Sequence, residues 1–256
     1  MPTKKIIAIG GGEIGRPGFP VETTAIDEEI IKLSGKKQPK LLLLPTASGD
    51  APLYFAVAKK HFGKRLGAKV DVLYLINAQL TKKQISDKIL SADIIYVGGG
   101  DTLKMIKVWR KVGVDKLLKK AWERGIVMSG VSAGAICWFR FGQSDTLKFA
   151  KANAPYVKVN GLNFLNALCV PHFDFEKERQ SDIKRMMKNT LGTAVALDNC
   201  SALEVIDDKF KMITSKRTAK AYKIFWHKNK YYKEEIENNK EFRLLLELTN
   251  KFHKLS

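Results

Sequence analysis

The chain has few of the residues and segments that mark membrane, secreted or metal-binding proteins. It contains three cysteines in 256 residues, Cys137, Cys169 and Cys200, and no C-x-x-C pair of the kind that forms zinc or redox sites. No apolar run approaches the roughly 20 residues that cross a bilayer, and the N-terminal MPTKKIIAIG lacks the apolar core of a signal peptide. We therefore expect buried free thiols, no metal, no membrane partner and a cytoplasmic location.

Acidic residues are also scarce beside basic ones: 26 Asp and Glu against 45 Lys and Arg give a formal net charge of +19. Such an excess can mark a nucleic-acid binder. The lysines are spread along the chain on polar helix faces, however, and the sequence has neither zinc-finger spacing nor an RNA-binding aromatic motif. We expect a solvated, lysine-rich surface and no nucleic-acid partner, with a charge that could steer acidic substrates.

Nothing in the sequence marks a boundary between domains. There is no internal repeat, no low-complexity segment and no linker rich in Pro, Gly or Ser, so we expect one α/β hydrolytic domain over residues 1–256. Short apolar runs alternate with amphipathic stretches, which is typical of βαβ units around a mostly parallel sheet. The predicted buried strands are Lys5–Gly10, Lys40–Leu44, Lys69–Leu75, Asp93–Val97, Ile126–Gly130 and Ala167–Val170. The predicted helices are Thr24–Leu33, Pro52–Leu66, Lys82–Leu90, Thr102–Arg110, Val114–Arg124 and Asp174–Leu191.

The last quarter of the chain changes character. Short apolar runs separated by turn residues predict a hairpin-rich extension of the sheet, and Asn239–Phe252 has the pattern of a terminal amphipathic helix. The predicted strands are Ala194–Leu197, Ala202–Ile206, Phe210–Ile213 and Tyr222–Phe225.

The strongest chemical signal is IVMSGVSAGAICWF, in which a buried strand runs into Gly130-Val131-Ser132-Ala133-Gly134 and then an apolar helix. This matches the G-x-S-x-G turn that presents a nucleophilic serine. Small residues on both sides relieve the crowding of so sharp a turn, and the backbone N–H of Ala133 can stabilise an oxyanion. The alternative is that Ser132 only caps the helix that follows.

Two glycine-rich loops follow other predicted strands. Gly98-Gly99-Gly100 follows Asp93–Val97 and should lie beside Ser132, because parallel strands end on one edge of a sheet. Its N–H groups could complete an oxyanion hole, and Asp101 or Thr102 would cap the next helix. Gly10-Gly11-Gly12-Glu13-Ile14-Gly15 has G-x-G-x-x-G spacing, but the Pro-rich stretch after it breaks the helix that dinucleotide binding requires. A loop lining the rim of the active site is the better interpretation.

A serine nucleophile needs a base, and the chain has four histidines. His61 falls on a polar helix face, His227 in a lysine-rich turn and His253 near the chain end. His172 instead follows a buried strand and Pro171, on the edge where Ser132 should lie. The residues best placed to orient the imidazole of His172 are Asp198 and Asn199, and Asp174 and Glu204 are weaker candidates.

Four stretches together, LLLLPTASGD, IIYVGGGDTL, GVSAGAICWF and PHFD, resemble the dipeptidase E and cyanophycinase family of serine peptidases. Members of that family hydrolyse peptide bonds next to aspartyl residues. The resemblance implies a three-layer α/β/α sandwich like that of class I glutamine amidotransferases, with serine in place of cysteine at the turn. It implies that Ser132 is the nucleophile and His172 the general base, that Gly99, Gly100 and Ala133 donate N–H groups to the oxyanion, and that no cofactor is needed.

The sequence departs from the family at the third member of the triad. The family usually has a glutamate in a segment like I-D-E-x-x-A-L, whereas Leu197–Leu203 reads L-D-N-C-S-A-L and places Asn199 at that position. Asparagine can orient a histidine but stabilises an imidazolium less than a carboxylate does. Either Asn199 orients the imidazole, or Asp198 reaches in, or activity is weak.

Two further residues are candidates for binding substrate. The resemblance places Arg179 where aspartyl dipeptidases hold the aspartate side chain of the substrate, which suits the geometry of a guanidinium; a surface-helix arginine is the alternative. Asp101, beside the glycine loop, is the second candidate.

We therefore expect a serine peptidase acting on small peptides, as a monomer or homodimer, and three alternatives stay open. An α/β-hydrolase esterase also carries G-x-S-x-G, but its histidine follows the acid in the chain, which would require His227 or His253. A catalytically impaired ligand-binding protein is suggested by Asn199, and a nucleic-acid binder by the net charge. Trp138, Phe139 and Phe141 belong either to a dimer face or to the core.

Overall fold

A computed structural model of the chain describes residues 2–77, 79–175, 177–238, 241–250 and 252. The strands are β1 (Lys5–Ile9), β2 (Lys40–Leu44), β3 (Lys69–Val72), β4 (Ile94–Val97), β5 (Val127–Val131), β6 (Phe139–Ser144), β7 (Val157–Asn160), β8 (Leu165–Val170), β9 (Ala194–Leu197), β10 (Ser201–Ile206), β11 (Lys209–Thr214), β12 (Ala221–His227), β13 (Lys230–Glu235) and β14 (Arg243–Leu244). The helices are α1 (Thr24–Leu33), α2 (Pro52–Ala58), α3 (Lys82–Leu90), α4 (Thr102–Val112), α5 (Val114–Glu123), α6 (Ala133–Ile136), α7 (Lys177–Lys188) and α8 (Leu245–Thr249). A π-helical segment, Lys59–Arg65, continues α2, and the 3-10 turns are Thr46–Ser48 and Thr146–Phe149.

The first sheet lies between helices on both of its faces. Its strand order is β14-β11-β10-β1-β5-β4-β2-β3, with parallel pairing from β1 to β3 and antiparallel pairing on the side of β10. Strand β2 shows why helices cover both faces of this sheet: Leu42 and Leu44 pack with α3, α4 and α5, whereas Leu41 and Leu43 pack with α1 and α2. A strand apolar on both faces requires cover on both. The protein is therefore an α/β sandwich.

A second sheet was not evident in the sequence. Its order is β13-β12-β9-β8-β6-β7, and only β6, β8 and β9 pair in parallel. Cys169 and Val195 on one face join the core of the first sheet, whereas Leu168 and Ala196 on the other face pack under α7. Parallel pairing thus covers the five neighbouring strands from β1 to β3 in the first sheet but only β6, β8 and β9 in the second, and the predicted hairpins lie at one side of each sheet instead of extending a single one.

The predicted elements are mostly confirmed, with differences where the pattern is weak. The bounds of β2, β9, α1 and α3 match the prediction. The four strands predicted in the last quarter of the chain correspond to β9, β10, β11 and β12, within two residues at each end. The predicted apolar helix after Ser132 is wrong beyond Ile136, because the chain turns there into β6. The predicted terminal helix is reduced to α8 after the short β14; residues 239, 240 and 251 of that prediction lie outside the described residues.

Several side chains predicted at the surface, or left open, lie in the core. His61 is 1% exposed, which corrects its prediction on a polar helix face. Its Nε2 lies 2.8 Å from Asp27 and its Nδ1 accepts from Arg65, which can only donate, so Nε2 carries the proton. Trp138 and Phe139 are fully buried and belong to the core. The three cysteines are buried and free.

None of the helices in the described part of the chain has the length and apolar character needed to span a membrane.

Candidate active site

The candidate site lies where the parallel strands of both sheets end. In the first sheet β1, β4 and β5 are neighbours and lead into the glycine loop after Ile9, into Gly98-Gly99-Gly100 and into Ser132. In the second sheet β8 leads to His172 and β9 to Asn199. Backbone hydrogen bonds join these loops: Ser132 N–H donates to Ile9 (3.0 Å), and His172 N–H donates to the carbonyl of Gly10 (3.1 Å).

Ser132 occupies the sharp strand-to-helix turn that its sequence predicts. Its φ of 57° and ψ of −112° are rare for a residue with a side chain, and its hydroxyl makes no capping bond to α6. The flanking glycines have a steric reason. A Cβ on Gly130 would lie 2.8 Å from the carbonyl oxygen of Val97, and a Cβ on Gly134 only 2.1 Å from it. The turn therefore packs against the end of β4 and leaves no room for larger residues.

His172 lies between the serine and an amide. Its Nε2 is 2.9 Å from Ser132 Oγ, and its Nδ1 is 2.7 Å from Asn199 Oδ1. It also has a positive φ, 52°, so two of the three interacting residues are held in an uncommon backbone conformation. Because an amide oxygen can only accept, Nδ1 must carry the proton and Nε2 is left to accept one from the serine.

Of the two residues proposed to orient the histidine, Asn199 makes the contact and Asp198 does not. Asp198 is buried at the end of β9, and its carboxylate accepts from the backbone N–H of Lys220 at 2.9 Å. Its second oxygen is buried with no hydrogen-bond partner among the described residues. Burial raises the pKa of this carboxyl to about 6. Of the alternatives left open by the sequence, this geometry therefore favours Asn199 over Asp198 as the group that contacts His172.

Asp174, ranked low from the sequence, contacts Asn199 directly. Its Oδ1 accepts from the backbone N–H of Asn199 at 2.8 Å and from the side-chain Nδ2 at 3.1 Å. Glu204, the other low-ranked candidate, is buried on β10 within 3.1 Å of Lys211, and burial raises the pKa of its carboxyl. The proximity of Asp174 to His172 in PHFD is the only sequence signal that could have raised its rank.

The N-terminal glycine loop packs on the histidine and the asparagine. A Cβ on Gly11 would lie 1.9 Å from Asn199 Oδ1 and 2.4 Å from His172 Nδ1. Position 11 therefore has to be glycine if those two side chains are to keep their contact. No helix follows β1 until α1 begins at Thr24, so the loop lacks the helix of a dinucleotide-binding motif. The sequence predicted a loop at the rim but not this close approach.

The second glycine loop lies beside the serine. A Cβ on Gly99 would be 3.4 Å from Ser132 Cβ and 3.9 Å from its Oγ, and Gly100 has a φ of 134°. The ring of Tyr54 packs on Gly98, and its hydroxyl accepts a long bond, 3.4 Å, from Gly99 N–H. Burial raises the pKa of Tyr54, which stays protonated. Among the described residues no partner is found for the N–H of Gly100 or of Ala133.

The two residues predicted to bind substrate are held by protein groups. Arg179 is 1% exposed, so it is not a surface arginine; its guanidinium donates to Gln143 O (3.1 Å), lies 3.8 Å from Asp145 and stacks over the ring of Tyr156. Asp101 caps α4 through Lys104 N–H at 3.0 Å and accepts from the hydroxyl of Thr146. Within the described residues, no cluster of His, Cys, Asp or Glu has the make-up of a metal site.

The profile of peptidase family S51 matches residues 6–213, a range that includes every residue of the candidate site. The chain belongs to peptidase family S51. Membership in family S51 makes the protein a peptidase, a hydrolase.

Individual relatives agree with this family. The chain is 35% identical over 230 residues to the uncharacterized peptidase YgaJ of Bacillus subtilis (strain 168), covering 86% of this chain and 92% of that protein. It is 30% identical over 149 residues to the uncharacterized peptidase PM1590 of Pasteurella multocida (strain Pm70), covering 56% of this chain and 70% of that protein.

Two solved structures share the fold at low sequence identity. A peptidase from an acI-B1 Actinobacterium has a TM-score of 0.70 and 17% identity, over 94% of this chain and 96% of that one. A putative peptidase E protein from Listeria monocytogenes EGD-e has a TM-score of 0.62 and 18% identity, over 83% of this chain and 98% of that one. These similarities support the fold of the S51 chain.

Proposed function

We propose that the protein hydrolyses small peptides through an acyl-enzyme on Ser132, with His172 as general base and Asn199 as the group that orients it. The observation that carries this proposal is the continuous pair of hydrogen bonds on His172, 2.9 Å to Ser132 Oγ and 2.7 Å to Asn199 Oδ1. A nucleophile, a base and an orienting group in contact form the arrangement of serine hydrolases.

The chemistry proceeds in two halves. Nε2 of His172 takes the proton of Ser132 as Oγ attacks the scissile carbonyl carbon. When the tetrahedral intermediate collapses, the C–N bond breaks and the amine leaves with the proton from Nε2. Water then attacks the ester on Ser132, again giving its proton to His172, and the acid product leaves as Oγ regains a proton.

The negative charge that develops on the carbonyl oxygen needs donors beside Ser132. The N–H groups of Ala133 and Gly100 are the best candidates, because neither has a partner among the described residues. Gly99 lies next to the serine as well, and its long bond to Tyr54 is weak enough to be exchanged. Fixed backbone donors of this kind contribute much of the rate in acyl transfer.

The substrates proposed are dipeptides and other short peptides, including aspartyl peptides. The resemblance of the motifs to the dipeptidase E family supports this class, as does the likeness of the fold to the putative peptidase E protein of Listeria monocytogenes EGD-e. The high positive charge of the chain favours the approach of acidic peptides. For Arg179 to bind substrate, a carboxylate of the peptide would have to displace the protein groups that contact its guanidinium, Gln143 O and the ring of Tyr156.

A peptide panel tests the function. Purified protein is incubated with Asp-X dipeptides, matched Ala-X and Lys-X dipeptides, and longer peptides with the same N-terminal pair, and free amino groups are measured. We expect cleavage of the dipeptides, fastest for Asp-X, and none by Ser132→Ala. Cleavage by Ser132→Ala at the wild-type rate would rule out the proposed nucleophile, and cleavage of long peptides only would rule out the dipeptidase class.

A further inference from the structure

We propose that Asp174 is a positioning residue for hydrolysis: it fixes the Asn199 amide in the orientation that makes His172 a base, and it places a negative charge behind that amide. This inference rests on the proposed function of Ser132 and His172. It assigns to a pair of residues, an amide backed by a carboxylate, the task that a single carboxylate performs in other serine hydrolases.

The orientation of the amide decides which proton His172 can take. An asparagine side chain has one accepting end and one donating end, and the two are nearly equal in shape. With Oδ1 toward His172, Nδ1 carries the proton and Nε2 accepts from Ser132. With the amide reversed, Nδ2 would donate to Nδ1, the proton would sit on Nε2, and the histidine could no longer take the serine proton.

Asp174 makes the productive orientation the stable one. Its Oδ1 accepts from Nδ2 of Asn199 at 3.1 Å and from the backbone N–H of the same residue at 2.8 Å. A reversed amide would place its oxygen against the carboxylate, where two acceptors repel. The backbone bond keeps Asp174 in place, so one carboxylate both holds the loop after β9 and selects the amide orientation.

The charge of Asp174 has a second effect. When His172 becomes an imidazolium, its Nδ1 faces the neutral amide of Asn199, and the carboxylate of Asp174 lies behind that amide. Asp198 and Glu22 are engaged elsewhere, Asp198 with Lys220 N–H at 2.9 Å and Glu22 with Lys216 at 2.6 Å. Because Asp174 is exposed, solvent and salt screen its charge, and we expect it to stabilise the imidazolium only moderately.

Two substitutions separate orientation from charge. Asp174→Asn keeps an oxygen that accepts from both donors of Asn199 but removes the charge. Asp174→Ala removes both. The matched control is Glu178→Gln, which neutralises another exposed carboxylate of the same segment, one whose partner is Lys148 at 3.3 Å.

The readouts are kcat and KM for the best dipeptide, the pH dependence of kcat/KM, and the thermal unfolding midpoint. We expect kcat to fall about 10-fold in Asp174→Asn, which corresponds to about 1.4 kcal/mol of transition-state stabilisation, and further in Asp174→Ala, with little change in KM. The acidic limb of kcat/KM should move to lower pH in Asp174→Asn, because removing a nearby negative charge disfavours the imidazolium. Glu178→Gln should change none of these.

A purely structural Asp174 gives a different result. Wild-type kcat and an unmoved pH profile in Asp174→Asn would overturn the role of the charge, and wild-type kcat in a folded Asp174→Ala would overturn the role in orienting the amide as well. Because Asp174→Asn is isosteric, the role of the charge can be tested even if Asp174→Ala does not fold. The proposed function fails separately: in that case the wild-type protein itself cleaves no dipeptide, or Ser132→Ala cleaves as well as wild type.

Discussion

The side-chain oxygen of Asn199 lies 2.7 Å from Nδ1 of His172, on the side of the imidazole away from Ser132. A neutral amide in this place holds the ring in the tautomer that accepts the serine proton, but by itself it offers no charge to an imidazolium. The site therefore combines a complete hydrogen-bond chain with a weaker electrostatic contribution from its third member. The predictions below test the parts of this chain one at a time.

The first prediction concerns the base. His172→Ala should lower kcat/KM for dipeptides by about a thousandfold or more, because the serine loses its proton acceptor. The matched control is His227→Ala, which removes the histidine that an α/β-hydrolase order would need and should leave hydrolysis unchanged. Steady-state kinetics of both variants decide the matter. Loss of activity in His227→Ala with activity retained in His172→Ala would point to the esterase order of residues.

The second prediction concerns the glycine loop that packs on the base. Gly11→Ala places a methyl group 1.9 Å from Asn199 Oδ1 and 2.4 Å from His172 Nδ1, so one of the two side chains must move. A shift of about 1 Å in a catalytic group can cost 100-fold in rate, and we expect a loss of about that size in kcat. Activity at the wild-type level would show that Gly11 does not touch the working site.

The control for that variant is Gly63→Ala in the π-helical segment. There the nearest atoms to an added Cβ lie 3.6 Å away, an ordinary contact, and no positive φ is involved. Gly63→Ala should therefore keep wild-type kcat. The circular dichroism spectra of both variants check that each is folded.

Much of this site follows from the sequence, because its local rules are strong. The steric demands of a strand-to-helix turn make glycine necessary at positions 130 and 134, so G-x-S-x-G identifies Ser132, and a strand end identifies His172. Long-range packing is not encoded so locally. Strand β6 begins just after the short helix α6 that follows Ser132. Its sequence predicts a continued helix, because its apolar residues belong to a second sheet that no local pattern indicates. Asp174 is an ordinary exposed acid until the end of β9 is placed beside it.

The third prediction concerns the pH dependence of stability. The pKa of Asp198 is about 6 in the folded protein and 3.8 is the ordinary value, because burial disfavours its charged form. The folded state therefore binds the proton more tightly than the unfolded state. Below about pH 4 this carboxyl does not affect the free energy of unfolding. It lowers the free energy of unfolding progressively as pH rises from about 4 to 6, and above pH 6 the full destabilisation is present.

Asp198→Asn removes that titration while its amide oxygen can still accept from Lys220 N–H. The free energy of unfolding of the variant, relative to wild type, should rise by about 2 kcal/mol between pH 4 and pH 8. Urea unfolding at one-unit pH intervals measures it, with the exposed Asp208→Asn as control. A difference that stays flat across this range would contradict the burial of a charged Asp198.

The fourth prediction concerns Arg179. Its guanidinium is buried against Gln143 O and the ring of Tyr156, so Arg179→Ala should lower the free energy of unfolding by about 2 kcal/mol or more. Arg179→Lys should recover only part of this loss, since an ammonium neither stacks nor spans the same partners. If both variants keep wild-type stability and instead raise KM for Asp-X peptides alone, the arginine serves substrate binding.

The serine nucleophile is tested most directly by the mass of the intact protein after treatment with a fluorophosphonate, which reacts much faster with an activated serine than with other side chains. We expect one adduct per chain on the wild-type protein, mapped to Ser132 by peptide analysis, and none on folded Ser132→Ala. No adduct on the folded wild-type protein, or an adduct that persists in Ser132→Ala, would contradict the proposal that Ser132 and His172 form a working hydrolytic site.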